Sequence, residues 1–94
     1  MNPIEVISPK KYIKNLKIIF ENSIFSIAAM SWKDEPRVGM RWNGSGESLG
    51  YPTSRAKSTW FIIPKEIALS YAKTVGDVKM EEAIKATTDK PFIE

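Results

Sequence analysis

Apolar and polar positions alternate through three stretches of this chain. From Ile24 to Trp32, Phe25, Ile27 and Ala29 fall on one side and Ser26, Ala28 and Met30 on the other, the period-two pattern of a strand. From Arg37 to Trp42, Val38, Met40 and Trp42 alternate with Arg37, Gly39 and Arg41, which predicts an antiparallel strand with one buried face. Ser58 to Ile63 is β-branched and aromatic and stops at Pro64. Trp60 and Ile62 share one of its faces and Phe61 and Ile63 the other, so the pattern places this strand near the middle of a sheet.

The N-terminal third is less uniform. Ile4, Val6 and Ile7 predict a short edge strand, and Ser8-Pro9 a turn or a helix start. Between residues 10 and 20 two periods compete. Tyr12, Ile13, Leu16, Ile19 and Phe20 recur at helical spacing opposite Lys10, Lys14 and Lys17, whereas Leu16, Ile18 and Phe20 alternate as in a strand. The turn signal Glu21-Asn22-Ser23, followed directly by a strand, calls for a partner strand before it. That favours a strand over 16–20 after one helical turn from Pro9, with a longer helix as the alternative. Lys33-Asp34-Glu35-Pro36 is the second turn.

Beyond Pro64 the period changes to helical. Ile67, Tyr71 and Val75 recur every four residues beside Ala68 and Ala72, and Gly76 closes the segment. Asp77 then caps a second helix from Val78 to about Ala86, with Met80, Ala83 and Ile84 on its apolar side. Thr87 to Glu94 reads as a turn-like tail in which Phe92 and Ile93 could dock. The expected architecture is α+β: one domain over 1–94, with an antiparallel four- to five-stranded sheet (a meander plus a return strand) covered on one face by two C-terminal helices. The apolar share of 43% leaves more surface than two short helices can cover, so the other sheet face is expected to pair with a second copy in a homodimer.

Composition narrows the chemistry. The chain has 94 residues with 14 basic and 11 acidic side chains, a net charge of +3, too mild a bias for a dedicated nucleic-acid binder. It has no cysteine and no histidine, which removes disulfides, thiol catalysis, cysteine-based metal sites and the commonest general base. No apolar run approaches a membrane span, and the lysines of MNPIEVISPKK follow its apolar patch instead of preceding it. A cytoplasmic location is the expectation.

The stretch from Asn43 to Lys57 is too rich in Gly and Pro for a regular element, so it is the natural place for a site. Gly50 to Ser58 has the outline of a phosphate-binding loop but fails in detail. The spacing is one residue too long, Ala56 stands where a glycine is required, and a strand follows instead of a helix. Gly44, Gly46 and Gly50 likewise miss the dinucleotide fingerprint. Ser54-Arg-Ala-Lys57 matches a serine–lysine pair in spacing only, since it lies in a loop and not on a helix face. Asp34-Glu35 and Glu81-Glu82 are neighbours in sequence, not carboxylates converging on a substrate. Asn43-Gly44-Ser45 fits a glycosylation acceptor without a secretory route.

What remains is a set of cations among aromatic rings: Arg41, Asn43, Tyr51, Arg55 and Lys57 are the candidate ligand or partner contacts. Trp42 and Trp60 occupy core-facing positions, and Arg41 is expected to pair with Glu35 or Glu47 on the sheet surface. VGMRWNG at 38–44, GYPTSRAKSTWFIIP at 50–64 and IFSIAAMSW at 24–32 resemble small proteins encoded on integron gene cassettes and related mobile elements. The resemblance implies a small cytoplasmic bacterial α+β protein, often self-associating, with no established activity, and it carries over no site residue. The expected function is a non-catalytic interaction module that binds a protein partner or itself. The alternative is a nucleic-acid or anion binder using the 43–57 loop with Arg37 and Arg41. No cofactor, metal or membrane partner is expected, and an enzyme is the least favoured reading.

Overall fold

The computed structural model describes residues 2–45, 48–55 and 57–87, so the expected docking of Phe92 and Ile93 lies outside the described residues. A 3-10 turn (Pro3–Glu5) precedes the strands β1 (Ile13–Glu21), β2 (Phe25–Trp32) and β3 (Glu35–Trp42). Two short strands, β4 (Thr53–Ser54) and β5 (Lys57–Ser58), pair with each other before β6 (Phe61–Ile63), and the helices α1 (Lys65–Val75) and α2 (Val78–Thr87) follow. The main sheet is antiparallel with strand order β1-β2-β3-β6, the α+β architecture of a meander, a return strand and two C-terminal helices.

Residues 10–20 contain strand, not a long helix. Tyr12 N and Ile13 N both donate to Pro9 O, closing a turn, and β1 begins there. The mixed period has a physical origin. The β1–β2 register shifts between Lys14 and Lys17 and again between Ile18 and Phe20, and Asn15 at the first shift has φ 56°. Each bulge adds one residue and turns the following side chains over. Ile19 and Phe20 therefore both pack on the helix side while Leu16 and Ile18 pack on the other, which mimics helical spacing.

Both hairpin turns are fixed by local chemistry. Asn22 Oδ1 accepts from Ile24 N at 2.8 Å and Phe25 N at 2.9 Å, an Asx turn between β1 and β2. Between β2 and β3 only Lys33 and Asp34 lie outside the Trp32–Glu35 pair, and both have positive φ, 53° and 67°. That combination matches the twist of an antiparallel ribbon. The turn is thus tighter than the four residues expected, and Glu35 and Pro36 belong to β3.

Each face of the sheet carries its own core. On the helix side Ile27 and Val38 pack under Ala68, Ala72, Met80 and Ile84, the small residues of α1 letting it lie close to the strands. Gly76, at φ 72°, ends α1, and Asp77 Oδ1 caps α2 by accepting from Met80 N at 2.9 Å. On the opposite side Ala28, Met30, Ile13 and Trp60 pack with Val6. The N-terminal segment is therefore no edge strand. It lies across the second face, which was expected to be left for another copy, and the Trp60 indole N–H donates to Val6 O at 2.7 Å to hold it there.

The return strand is shorter than expected and lies at the sheet edge, not its middle. Residues 57–58 leave to pair with 53–54, so β6 meets β3 only through Val38–Ile63, Gly39–Ile62 and Met40–Phe61. Its alternation holds, with Ile63 in the helix-side core and Trp60 and Ile62 in the other. Edge placement leaves Phe61 42% exposed.

Candidate functional site

Arg41 determines how the 43–57 loop is held. It lies on β3 opposite Ser26, on the face away from Trp42, and it is completely buried. Its guanidinium donates to Thr59 O at 2.5 Å and to Leu49 O, so one side chain joins both arms of the loop to the sheet. Ser58 Oγ donates to the same Leu49 carbonyl at 2.9 Å. Burial pulls the guanidinium pKa below its usual value, yet arginine stays charged in proteins. Arg41 is therefore no surface residue paired with a carboxylate, as its place on the outer face of β3 suggested. It is an internal clamp on carbonyl oxygens.

Asn43 is likewise internal. Its Oδ1 accepts from Ser26 Oγ at 2.7 Å and its Nδ2 donates to Asn22 O at 2.9 Å, while its backbone N donates to Ile24 O at 2.9 Å. These bonds fasten the start of the loop to the β1–β2 turn. Arg41 and Asn43 thus position the loop and do not present donors to solvent. Trp42, expected in the core, is 48% exposed at the end of β3, where it meets Phe25 edge-on. Arg37 is half-buried and donates to Pro36 O at 2.8 Å, away from the loop.

The clamp leaves the remainder of the loop as a projecting hairpin. Trp42 and Tyr51 exchange two backbone bonds, of 2.7 and 3.0 Å, and Thr59 N donates to Pro52 O at 3.1 Å. Ser54 then pairs with Lys57, which places Arg55 at the tip with φ 53°. Gly50 permits the close approach at the base. It has φ 71°, and a Cβ there would lie 2.1 Å from Trp42 O and 2.6 Å from the Arg41 guanidinium.

Arg55 and Lys57 at the tip face the turn before β1 across a groove of about 410 Å³. Lys10 and Lys11 line the opposite wall, and Ser8, Pro9, Ser54 and Thr59 complete it. The lining carries four cations and no described carboxylate, more positive charge than the +3 of the whole chain. Ser8 and Ser54 supply hydroxyls beside them, whereas Thr59 Oγ1 is buried and makes no hydrogen bond to the described residues. Lys11 also lies 5.0 Å from the Tyr12 ring centroid, a contact that restrains its stem. Phosphate, carboxylate or sulfate groups match this array of flexible cations and hydroxyls.

Sequence reasoning picked out Arg55, Lys57 and Tyr51 but missed Lys10, Lys11, Ser8 and Ser54. The adjacent lysines after Ser8-Pro9 were a visible signal. What no local pattern carried was that a turn at residues 8–11 meets a hairpin tip at 54–57. Among the described residues no three carboxylates converge as metal ligands, and no helix is long and apolar enough to cross a membrane. No family model, curated protein or solved structure matches the chain.

Proposed function

We propose that this protein is a non-catalytic binding module whose ligand is a polyanion, held in the groove between the Pro9 turn and the 51–59 hairpin. One observation carries this reading: Lys10, Lys11, Arg55 and Lys57 converge on a single groove with no described carboxylate among its lining residues. Four like charges placed together repel one another, and an anion that bridges them relieves that repulsion. Because the charges are exposed, each contact is weak and screened, so useful affinity needs several at once.

Binding of inorganic polyphosphate, titrated between about 50 and 200 mM salt, tests the reading, since phosphate-driven association must weaken as salt rises. Replacing Arg55 with Asn, which accepts the left-handed backbone at that position, together with Lys57→Gln should abolish most of the salt-dependent binding. Absence of polyphosphate binding at low salt overturns the proposal.

Self-association is a second reading, favoured by a separate observation. An apolar groove of about 260 Å³ between the sheet and α1 opens at Trp42 and Ile67, which are 48% and 55% exposed. A concentration series in sedimentation equilibrium that shows only monomer removes it.

A further inference from the structure

We infer that this protein forms a two-fold dimer through the part of the helix-side sheet face that α1 leaves open, with Tyr51 of each copy seated in the apolar groove of the other. The inference rests on the self-association reading, to which it adds the surface and the symmetry, and it is independent of the anion reading. Residues paired directly across antiparallel strands share a face. Val38, Met40 and Trp42 lie on the helix side of β3, Phe61 pairs with Met40, and Tyr51 pairs with Trp42. Trp42, Tyr51 and Phe61 therefore sit together on that face, 48%, 57% and 42% exposed, with the Tyr51 and Phe61 ring centroids 5.5 Å apart. Beside them the groove between the sheet and α1 opens at Trp42 and Ile67.

The exposed area is close to what a dimer needs. An aromatic side chain has about 150–250 Å² to bury, so the three half-exposed rings offer about 100 Å² each, and Ile67, 55% exposed, brings the apolar total to about 400 Å². Half-buried Phe25, Met40 and Tyr71 in the groove add to it. A homodimer interface of about 800 Å² per partner, about 65% apolar, requires roughly 500 Å² of such surface. The composition fits as well. Interface cores are rich in aromatic residues and methionine and poor in charge, and the groove has no charged side chain among its described lining residues.

Shape selects a second copy. The surface carries an exposed phenol ring and, next to it, an apolar groove of about 260 Å³. A dry apolar cavity of about 150 Å³ accepts benzene, so the groove has room for one such ring. A two-fold rotation places each Tyr51 over the other copy's groove, so one surface supplies both complements and the assembly closes at two chains. Edge-to-edge pairing, the other way for a sheet to dimerise, is opposed by the broken register of β1 and the three residues of β6. The cationic groove stays open in this dimer. Its Lys10 and Lys11 wall is the turn between Val6 and Ile13, which both pack in the core of the opposite face.

Sedimentation equilibrium between about 1 and 100 μM tests the inference and should show dimer, because interfaces of this size bind at micromolar affinity or better. Phe61→Gln with Ile67→Gln removes apolar area without changing charge, and should raise the dimer dissociation constant about ten-fold or more while polyphosphate binding per chain stays unchanged. The chain has no cysteine, so an introduced disulfide can report the geometry. Tyr51→Cys mixed with Ile67→Cys should give a mixed disulfide on oxidation, whereas Lys10→Cys mixed with Ile67→Cys, on opposite faces, should not. A dimer whose affinity the glutamine substitutions leave unaltered with near-ultraviolet circular dichroism intact, or equal cross-linking in the two mixtures, overturns this interface and leaves self-association standing. Monomer alone at about 100 μM overturns both. Neither result touches the anion reading, which polyphosphate binding decides separately.

Discussion

The Trp60 indole nitrogen lies 2.7 Å from the Val6 carbonyl oxygen, joining residues 54 positions apart across the face of the sheet that the helices do not cover. Trp60 is both the largest of the buried side chains in that core and the fastening of the N-terminal segment. Replacing it with Phe preserves most of the packing and orphans the Val6 carbonyl. Urea unfolding should show a loss of about 1–3 kcal/mol for Trp60→Phe and about 3–5 kcal/mol for Trp60→Ala. Hydrogen exchange in the phenylalanine variant should quicken first at the amides of Glu5 and Val6, which donate to Asn2 O and Pro3 O.

Arg41→Met removes the donor to Leu49 O and Thr59 O from a site with no exposure. Ser58 Oγ still reaches Leu49 O, so Thr59 O is the carbonyl left without this partner. Because hydrogen bonds to charged groups are worth about 1.5–3 kcal/mol each, the variant should lose roughly 2–5 kcal/mol in urea unfolding. Limited proteolysis should cut first between residues 44 and 58. Arg41→Lys should recover little, since an ammonium is a point charge and cannot span two carbonyls as a planar fork does.

Gly50 and Gly76 share the same backbone sign, φ 71° and 72°, in opposite surroundings. At Gly76 an added Cβ meets nothing within 4 Å, so Gly76→Ala should cost only the left-handed backbone penalty, about 1–2 kcal/mol. At Gly50 the same methyl would enter the Trp42 carbonyl and the Arg41 guanidinium. Gly50→Ala should therefore cost clearly more than Gly76→Ala in thermal unfolding and should also raise protease sensitivity in the loop. Equal costs would show that the base of the loop yields easily.

Glu81 and Lys85 form an i, i+4 pair on α2 at 2.8 Å. The hydrogen bond from Lys85 holds the Glu81 carboxyl below its usual range, outweighing a smaller opposing effect of desolvation. A carboxylate with a depressed folded-state pKa contributes stability above its unfolded value, about 4.3, and loses it as pH falls through the folded value. Lys85→Met should thus lower the urea midpoint slightly at pH 7 and leave it unchanged near pH 2. A difference that persists undiminished in acid would assign the effect to packing of the lysine stem.

Strand alternation makes much of the fold legible in the sequence. Val38, Met40, Ile62 and Ile63 lie on the faces their spacing indicates, and Pro64, Gly76 and Asp77 mark the helix ends. Legibility failed where chain-distant groups compete for a segment. The two bulges of β1 gave it a partly helical period, so the strand was legible over 16–20 but not over its full nine residues, and the pairing of residues 57–58 with 53–54 shortened β6 and moved it to the edge. The site divides along the same line. Arg55 and Lys57 were visible because a Gly- and Pro-rich loop exposes its side chains, whereas the burial of Arg41 depended on carbonyls at positions 49 and 59 that no period encodes.

The bulges of β1 also bear on how the molecule avoids polymerising. β1 is the long outer strand of the sheet, nine residues with no described strand paired on its outer side, the usual template for runaway pairing between chains. Its register breaks twice, Asn15 turns the backbone out of the pleat, and exposed Lys14 and Lys17 put charge where a neighbouring strand would approach. The other border, β6, offers only three residues. Among the described residues neither margin of the sheet offers a long flat edge for a second sheet to zip onto, so the chain can keep rings such as Tyr51 and Phe61 exposed with little risk of fibril growth.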